Sequence, residues 1–144
     1  MLRFIGDAML AIFPVNAATN PLGRCPAHER ACTAALAAAR DACRRLDTVN
    51  RERVERGAPI IRYGIGVHVG DLLYGNVGAP ERLEFTVIGA AANEAARIEA
   101  MCKVLGRSVL ISEACARHID EPLTSVGVHA LRGVGEPVEL FTIG

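Results

Sequence analysis

The stretch FTVIGAAANEAARIE, Phe85 to Glu99, opens on β-branched and aromatic residues, and Phe85-Thr86-Val87-Ile88 therefore predicts a buried strand. Gly89 breaks that strand. Ala90 to Met101 is rich in Ala, the best helix former, and predicts a helix. Asn93 and Arg97 stand four residues apart on it, which places both side chains on one face, one turn apart. Polar pairs at this spacing are common on solvated faces, and on spacing alone that plain reading comes first. The alternative is a ligand site. An amide beside a guanidinium suits an oxygen-rich ligand, because the planar Arg fork donates two parallel charged hydrogen bonds to phosphate.

Working outward, Leu2 to Phe13, LRFIGDAMLAIF, is two short apolar runs around Gly6-Asp7 and predicts a β-hairpin ended by Pro14. Asp7 is either a turn residue or a carboxylate held at a rigid tip, where it could bind a hard cation such as magnesium. Ala17 to Pro26 reads as a loop. From Ala27 to Arg56 the pattern is helical, with Cys32, Leu36, Ala39, Cys43 and Leu46 forming one apolar stripe and the arginines and acids a wet face. Gly57 and Pro59 stop it. Ile61 to Val69 alternates strictly and predicts a half-buried strand, with His68 as a surface strand residue. Gly64 and Gly66 in that strand indicate close backbone approach by a ligand or another chain. Gly70-Asp71 carries hairpin chemistry, with Leu72 to Val77 as the returning strand, and Gly78-Ala79-Pro80 turns the chain into Phe85. Val109-Leu110-Ile111 predicts a strand, and Ser112 an N-cap for a short helix from Glu113 to His118. Ser125 to Leu131 and Val138 to Ile143 predict a final hairpin. Strands, hairpins and intervening helices together indicate an α+β sandwich, with helices on at least one face of a largely antiparallel sheet.

At 144 residues this is one domain, long enough to bury a core, and at 51% hydrophobic it is globular. Its formal net charge of zero gives no electrostatic case for a nucleic-acid partner or a membrane surface, so an anionic ligand must be met by local charge. The five cysteines, Cys25, Cys32, Cys43, Cys102 and Cys115, contain no CxxC pair and read as buried free thiols in a reducing cytosol. No apolar run approaches a membrane span, and Asp7 interrupts any apolar signal core at the N-terminus.

Three segments in order, IGDAMLAIF, GIGVHVGDLLYGNVG and FTVIGAAANEAARIE, closely resemble the class III adenylyl/guanylyl cyclase catalytic domain. The resemblance continues through Val109-Leu110-Ile111-Ser112 to LRGVGEPVELF and covers nearly the whole chain, residues 1–144. It implies a ferredoxin-like βαββαβ sandwich working as a head-to-tail homodimer with shared active sites. It also implies conversion of a nucleoside triphosphate to the 3′,5′-cyclic monophosphate and pyrophosphate with two divalent ions, Mg2+ or Mn2+. By position, Asp7 matches a metal-binding aspartate, Asn93 the ribose-orienting asparagine and Arg97 the arginine that stabilises charge on the α-phosphate. Arg3 stands where the family has a base-reading lysine, Thr86 at its partner position, and Arg132 at a lysine that contacts the triphosphate.

The departures shape the expectation. The family's first strand, its own metal aspartate and the phosphate-binding turn lie upstream of IGD. The resemblance thus implies a chain lacking the first strand and helix, a fragment of a longer product or a truncated reading frame. Ala90 replaces an acid common after the family's VIG, and Arg3 keeps charge but changes geometry. Guanylyl members usually carry an acid at the Arg3 position, so ATP is the expected substrate. The expected setting is the cytoplasm, as a soluble protein or the cytosolic part of an anchored parent. The alternatives are a guanylyl cyclase and a non-catalytic cyclase-like module that dimerises and regulates a partner. A diguanylate cyclase would need a GGDEF-like turn, which the sequence lacks.

Overall fold

The computed structural model describes residues 2–5, 7–15, 26–77 and 84–143. In chain order the elements are β1 (Leu2–Ile5), β2 (Ala8–Ala11), α1 (Pro26–Glu55), β3 (Ile65–Val67), β4 (Leu73–Val77), β5 (Glu84–Ile88), α2 (Ala90–Leu105), β6 (Val109–Ser112), α3 (Glu113–Ala116), β7 (Thr124–His129) and β8 (Val138–Thr142). This is the expected α+β sandwich. The central sheet runs β3-β6-β8-β7, parallel between β3 and β6 and antiparallel at its other two pairs. Two further antiparallel pairs, β1-β2 and β4-β5, stand as hairpins outside it.

Side-chain alternation along β6 sorts the core into two layers. Val109 and Ile111 point to one face, where they meet Cys32, Leu36 and Ala39 of α1 together with Val67 and Cys115. Leu110 points to the other, where it meets Ile98 and Cys102 of α2 with Leu131 and Leu140. Successive strand residues face opposite ways, so α1 and α2 lie on opposite faces of the sheet. The apolar stripe read for α1 is the buried one, and its wet face carries surface pairs such as Arg45 Nε to Asp41 Oδ2 at 2.7 Å. Cys32, Cys102 and Cys115 are buried free thiols, as expected, whereas Cys43 is free but only half-buried, and burial pushes the Cys102 thiol up to about 11. Cys25, the 17–26 loop up to residue 25 and the Gly78-Ala79-Pro80 turn fall outside the described residues.

Three sequence expectations change. The strand expected over Ile61 to Val69 is paired only at Ile65–Val67, opposite Val109 to Ile111. Upstream of it, the Asn50 side chain takes both backbone groups of Ile61, donating to its carbonyl at 2.9 Å and accepting its N–H at 2.7 Å. Those groups are thus satisfied by α1 and not by a ladder. Gly70-Asp71 does not make a hairpin, because β3 pairs with β6 while β4 pairs with β5. The partner that approaches Gly64 and Gly66 is α2 of the same chain. A Cβ on Gly66 would lie 2.5 Å from the Ala95 carbonyl oxygen and 2.7 Å from the Glu99 nitrogen, and one on Gly64 would lie 2.8 Å from Cys102 Cβ.

Gly66→Ala must therefore move a helix backbone. We expect it to destabilise the chain by about 2–3 kcal/mol, in the range of overpacked cores, whereas Gly135→Ala, which meets nothing within 4 Å, should stay within about 0.5 kcal/mol of the parent. Urea unfolding of the two variants checks both values.

Candidate functional site

The site is built on α2. Its inner stripe, Ala91, Ile98 and Cys102, is buried, which turns Asn93 outward as an exposed residue and leaves Arg97, one turn on, half-buried. The Arg97 guanidinium reaches the β7-β8 connection, with Nη2 3.7 Å and Cζ 4.0 Å from where a Cβ of Gly133 would sit. Gly133 has φ +79°, a left-handed backbone that favours glycine, and Val134 N–H donates to Leu131 C=O at 3.1 Å to close the turn. Leu131 is buried against Ile98 and Cys102, so the same core that holds α2 anchors this loop. The exposed Arg132 stands between Leu131 and Gly133 in the same loop. Arg97 belongs to none of the ion pairs formed among the described residues. The structure thus brings together Asn93, Arg97 and the loop that carries Arg132.

Asp7 is exposed in the turn of the β1-β2 hairpin, where Ile5 pairs with Ala8 as the expected two-residue connection requires. Arg3 lies in β1 opposite Leu10 and Thr86 in β5 opposite Gly75, and their side chains fall outside the described residues. Among the described residues no three His, Cys, Asp or Glu side chains form a metal cluster. The single Asp7 carboxylate fits a magnesium-type ion only as one ligand, since such ions are held by one or two carboxylates plus substrate phosphates and water.

His68 is the functional candidate that sequence reading missed. Its side chain is 9% exposed, not a surface residue, because α2 covers that face of β3. His68 Nδ1 and Ser112 Oγ are 2.8 Å apart, and Nε2 lies 2.9 Å from Glu94 Oε2. Burial holds the imidazole below its ordinary value of 6.5, against the pull of the Glu94 carboxylate. A Ser-His-Glu chain has the connectivity of a nucleophilic triad, but Ser112 is buried and its Oγ accepts the Cys115 N–H at 3.2 Å as the cap of α3. The hydroxyl is therefore structural. The clue in the sequence was His68 falling on the same side of the strand as Gly64 and Gly66, the side a neighbour approaches.

No family model matches the chain. It is 36% identical over 124 residues to an adenylate cyclase of Anabaena cylindrica, covering 83% of this chain and 22% of that protein. It is 38% identical over 114 residues to adenylate cyclase 1 of Rhizobium meliloti, covering 79% of this chain and 16% of that protein. The chain thus spans about a fifth of the length of these relatives. Among solved structures, the adenylyl cyclase CyaB from P. aeruginosa superposes with a TM-score of 0.76 over 97% of this chain and 68% of that one, at 21% identity, a likeness of fold. With the α2 residues and hairpins placed as described, these similarities establish that the chain belongs to the class III nucleotide cyclase domain family.

Proposed function

We propose that residues 1–144 are the greater part of a cyclase catalytic domain that converts ATP to 3′,5′-cyclic AMP and pyrophosphate, working as a homodimer in the cytoplasm for intracellular signalling. The observation that carries this reading is the outward pair Asn93 and Arg97, one turn apart on α2, with the Arg97 guanidinium set against the Arg132 loop. The relatives named adenylate cyclase support it over most of the chain.

In this reading the ribose 3′-oxygen attacks the α-phosphorus, the bond from that phosphorus to the bridging oxygen breaks with its electron pair leaving on pyrophosphate, and the 3′-hydroxyl proton passes to solvent water. Asn93 orients the ribose by hydrogen bonds. Arg97 donates its fork to the α-phosphate oxygens as charge gathers there, and Arg132 holds the triphosphate tail. Orientation and preorganised charge supply most of the barrier reduction in phosphoryl transfer. Arg3 and Thr86 read the base. Asp7 would supply one oxygen ligand to Mg2+ or Mn2+, an ion that favours ionisation of the 3′-hydroxyl and shields the triphosphate when bound. Arg3 and Asp7 act from one protomer, Asn93 and Arg97 from the other. Among the described residues, no helix is long and apolar enough to cross a membrane.

Arg97→Ala should lower kcat by about 100- to 1000-fold, the usual loss for one preorganised donor to a developing oxyanion, with unfolding unchanged. Production of cyclic nucleotide from ATP and Mn2+ measures it, with GTP as the second substrate. No product from either nucleotide, in a chain that also carries the family's upstream strand, discards the enzyme in favour of a non-catalytic module. A complementation assay tests the sharing of sites. Asp7→Ala and Asn93→Ala should each be inactive alone, and an equal mixture should recover about a quarter of parental activity, because half the randomly formed dimers are mixed and each has one intact site of two. An inactive mixture of dimeric variants rules out sites shared in this way.

A further inference from the structure

Helix α2 begins without the usual anchors. Its first turn carries no acidic residue, and Gly89 before it provides no side-chain cap. Gly89 is there for another reason: its φ is +152°, and a Cβ on it would lie 2.9 Å from Leu72 Cα. Unsatisfied N–H groups and a free first turn normally fray. Yet this turn bears Asn93, and Arg97 follows one turn later.

The tie lies across the sheet. Glu94, the residue after Asn93, reaches His68 Nε2 at 2.9 Å, and His68 Nδ1 meets Ser112 Oγ at 2.8 Å. Ser112 is itself buried and fixed by the Cys115 N–H. The chain of bonds therefore runs from α2 through β3 to the end of β6 and the start of α3. Gly70 makes room for it, since a Cβ there would lie 2.9 Å from Ala91 Cβ and 3.3 Å from His68 Nε2.

The donors and acceptors match a neutral ring. Ser112 Oγ accepts from the Cys115 N–H, which leaves its own hydrogen for His68 Nδ1, and Nε2–H then donates to the Glu94 carboxylate. Glu94 from α2 is the charge acting on the ring, while β6 and α3 present a hydroxyl and a backbone N–H.

We infer that His68 is a positioning residue: held at Nδ1 by Ser112, it grips Glu94 at Nε2 and so sets the first turn of α2, with Asn93 and Arg97, against β3. What the positioning serves rests on the cyclase reading above. Each residue of an α-helix turns about 100°, so a first turn that unwinds by one residue carries Asn93 to a different face.

Amide exchange tests the grip on the intact chain with no turnover. Glu94→Ala should speed exchange at the amides of residues 94–97 on the order of tenfold and leave those of β6 and β8 unchanged. Glu94→Gln, whose amide oxygen still accepts from Nε2, should protect them as the parent does. His68→Phe keeps a ring and removes both nitrogens, and should match Glu94→Ala. Unchanged exchange in Glu94→Ala overturns the inference. Kinetics then tests what the grip is for. Glu94→Ala should lose at least about tenfold in kcat with KM for nucleotide within about twofold, and Glu94→Gln should recover most of the loss. Faster exchange with kcat unchanged would make His68 structural and end the positioning role. The exchange data decide the grip without turnover, and no turnover even in a parent that carries the upstream strand counts against the cyclase reading instead.

Discussion

The seating of α2 on the glycines of β3 is the contact on which the site depends. Gly64, Gly66 and Gly70 remove three Cβ atoms that would hold the helix away, and Ala91 and Ala95 present only small side chains from the helix. At Gly66 the nearest atoms are helix backbone, and at Gly64 and Gly70 they are the short side chains of Cys102 and Ala91. Packing this close has almost no slack, because interiors are as dense as organic crystals and a displaced group loses its dispersion contacts outright. Height and rotation of α2 are thereby set together. The same seating buries Ile98 against Leu131, and Leu131 fixes the loop whose Gly133 faces the Arg97 guanidinium. One sterically defined contact thus places an arginine on a helix against a loop that begins over thirty residues later in the sequence.

Much of this was legible in the residues. The strand and helix around Gly89, the stripe of α1, the Ser112 cap, the β1-β2 hairpin and the final β7-β8 hairpin follow from local periodicity and turn chemistry, which act over a few residues. What failed was non-local. Gly70-Asp71 has the chemistry of a hairpin turn, yet β3 takes its partner from Val109 onward, across α2, because a parallel neighbour needs a crossover. The alternation of Ile65 and Val67 with Gly64, Gly66 and His68 looks like one dry and one wet face. Period-2 reading cannot tell a wet face from one covered by a helix whose contact is made through glycine. His68 was misplaced for that reason alone. The glycines were correctly read as marking a close approach, and only the identity of the approaching chain was wrong.

Charge within the site is local, since the chain as a whole is neutral. Surface arginines on α1 are spent on Asp41 and Glu121, in exposed pairs that contribute little to stability. Arg97 differs. It is half-buried and outside every ion pair among the described residues. In the proposed reading, a bound phosphate would offset the cost of a partly desolvated guanidinium, and Arg132 in the facing loop would add to the attraction.

The hairpin that carries Asp7 obeys a different constraint. Its strands are four residues each and pair with no other strand among the described residues. An isolated two-stranded hairpin is marginal in water. Phe4, at 79% exposed, and Met9, at 58%, pair across it and give it an apolar face with nothing described upon it. In the proposed reading, Asp7 as a metal ligand would have to be held to a fraction of an ångström, more than a hairpin that pairs with no other strand among the described residues supplies by itself. In the proposed homodimer the two demands coincide. A surface that covers Phe4 and Met9 removes apolar area from water and, by the same contact, stiffens the turn at Asp7. Asn93 and Arg97 stand on a helix that the single chain already packs through the glycines and ties through the Glu94–His68 contact. The site then joins a part that is rigid in the single chain to a part made rigid by association, so dimerisation would govern activity through Asp7.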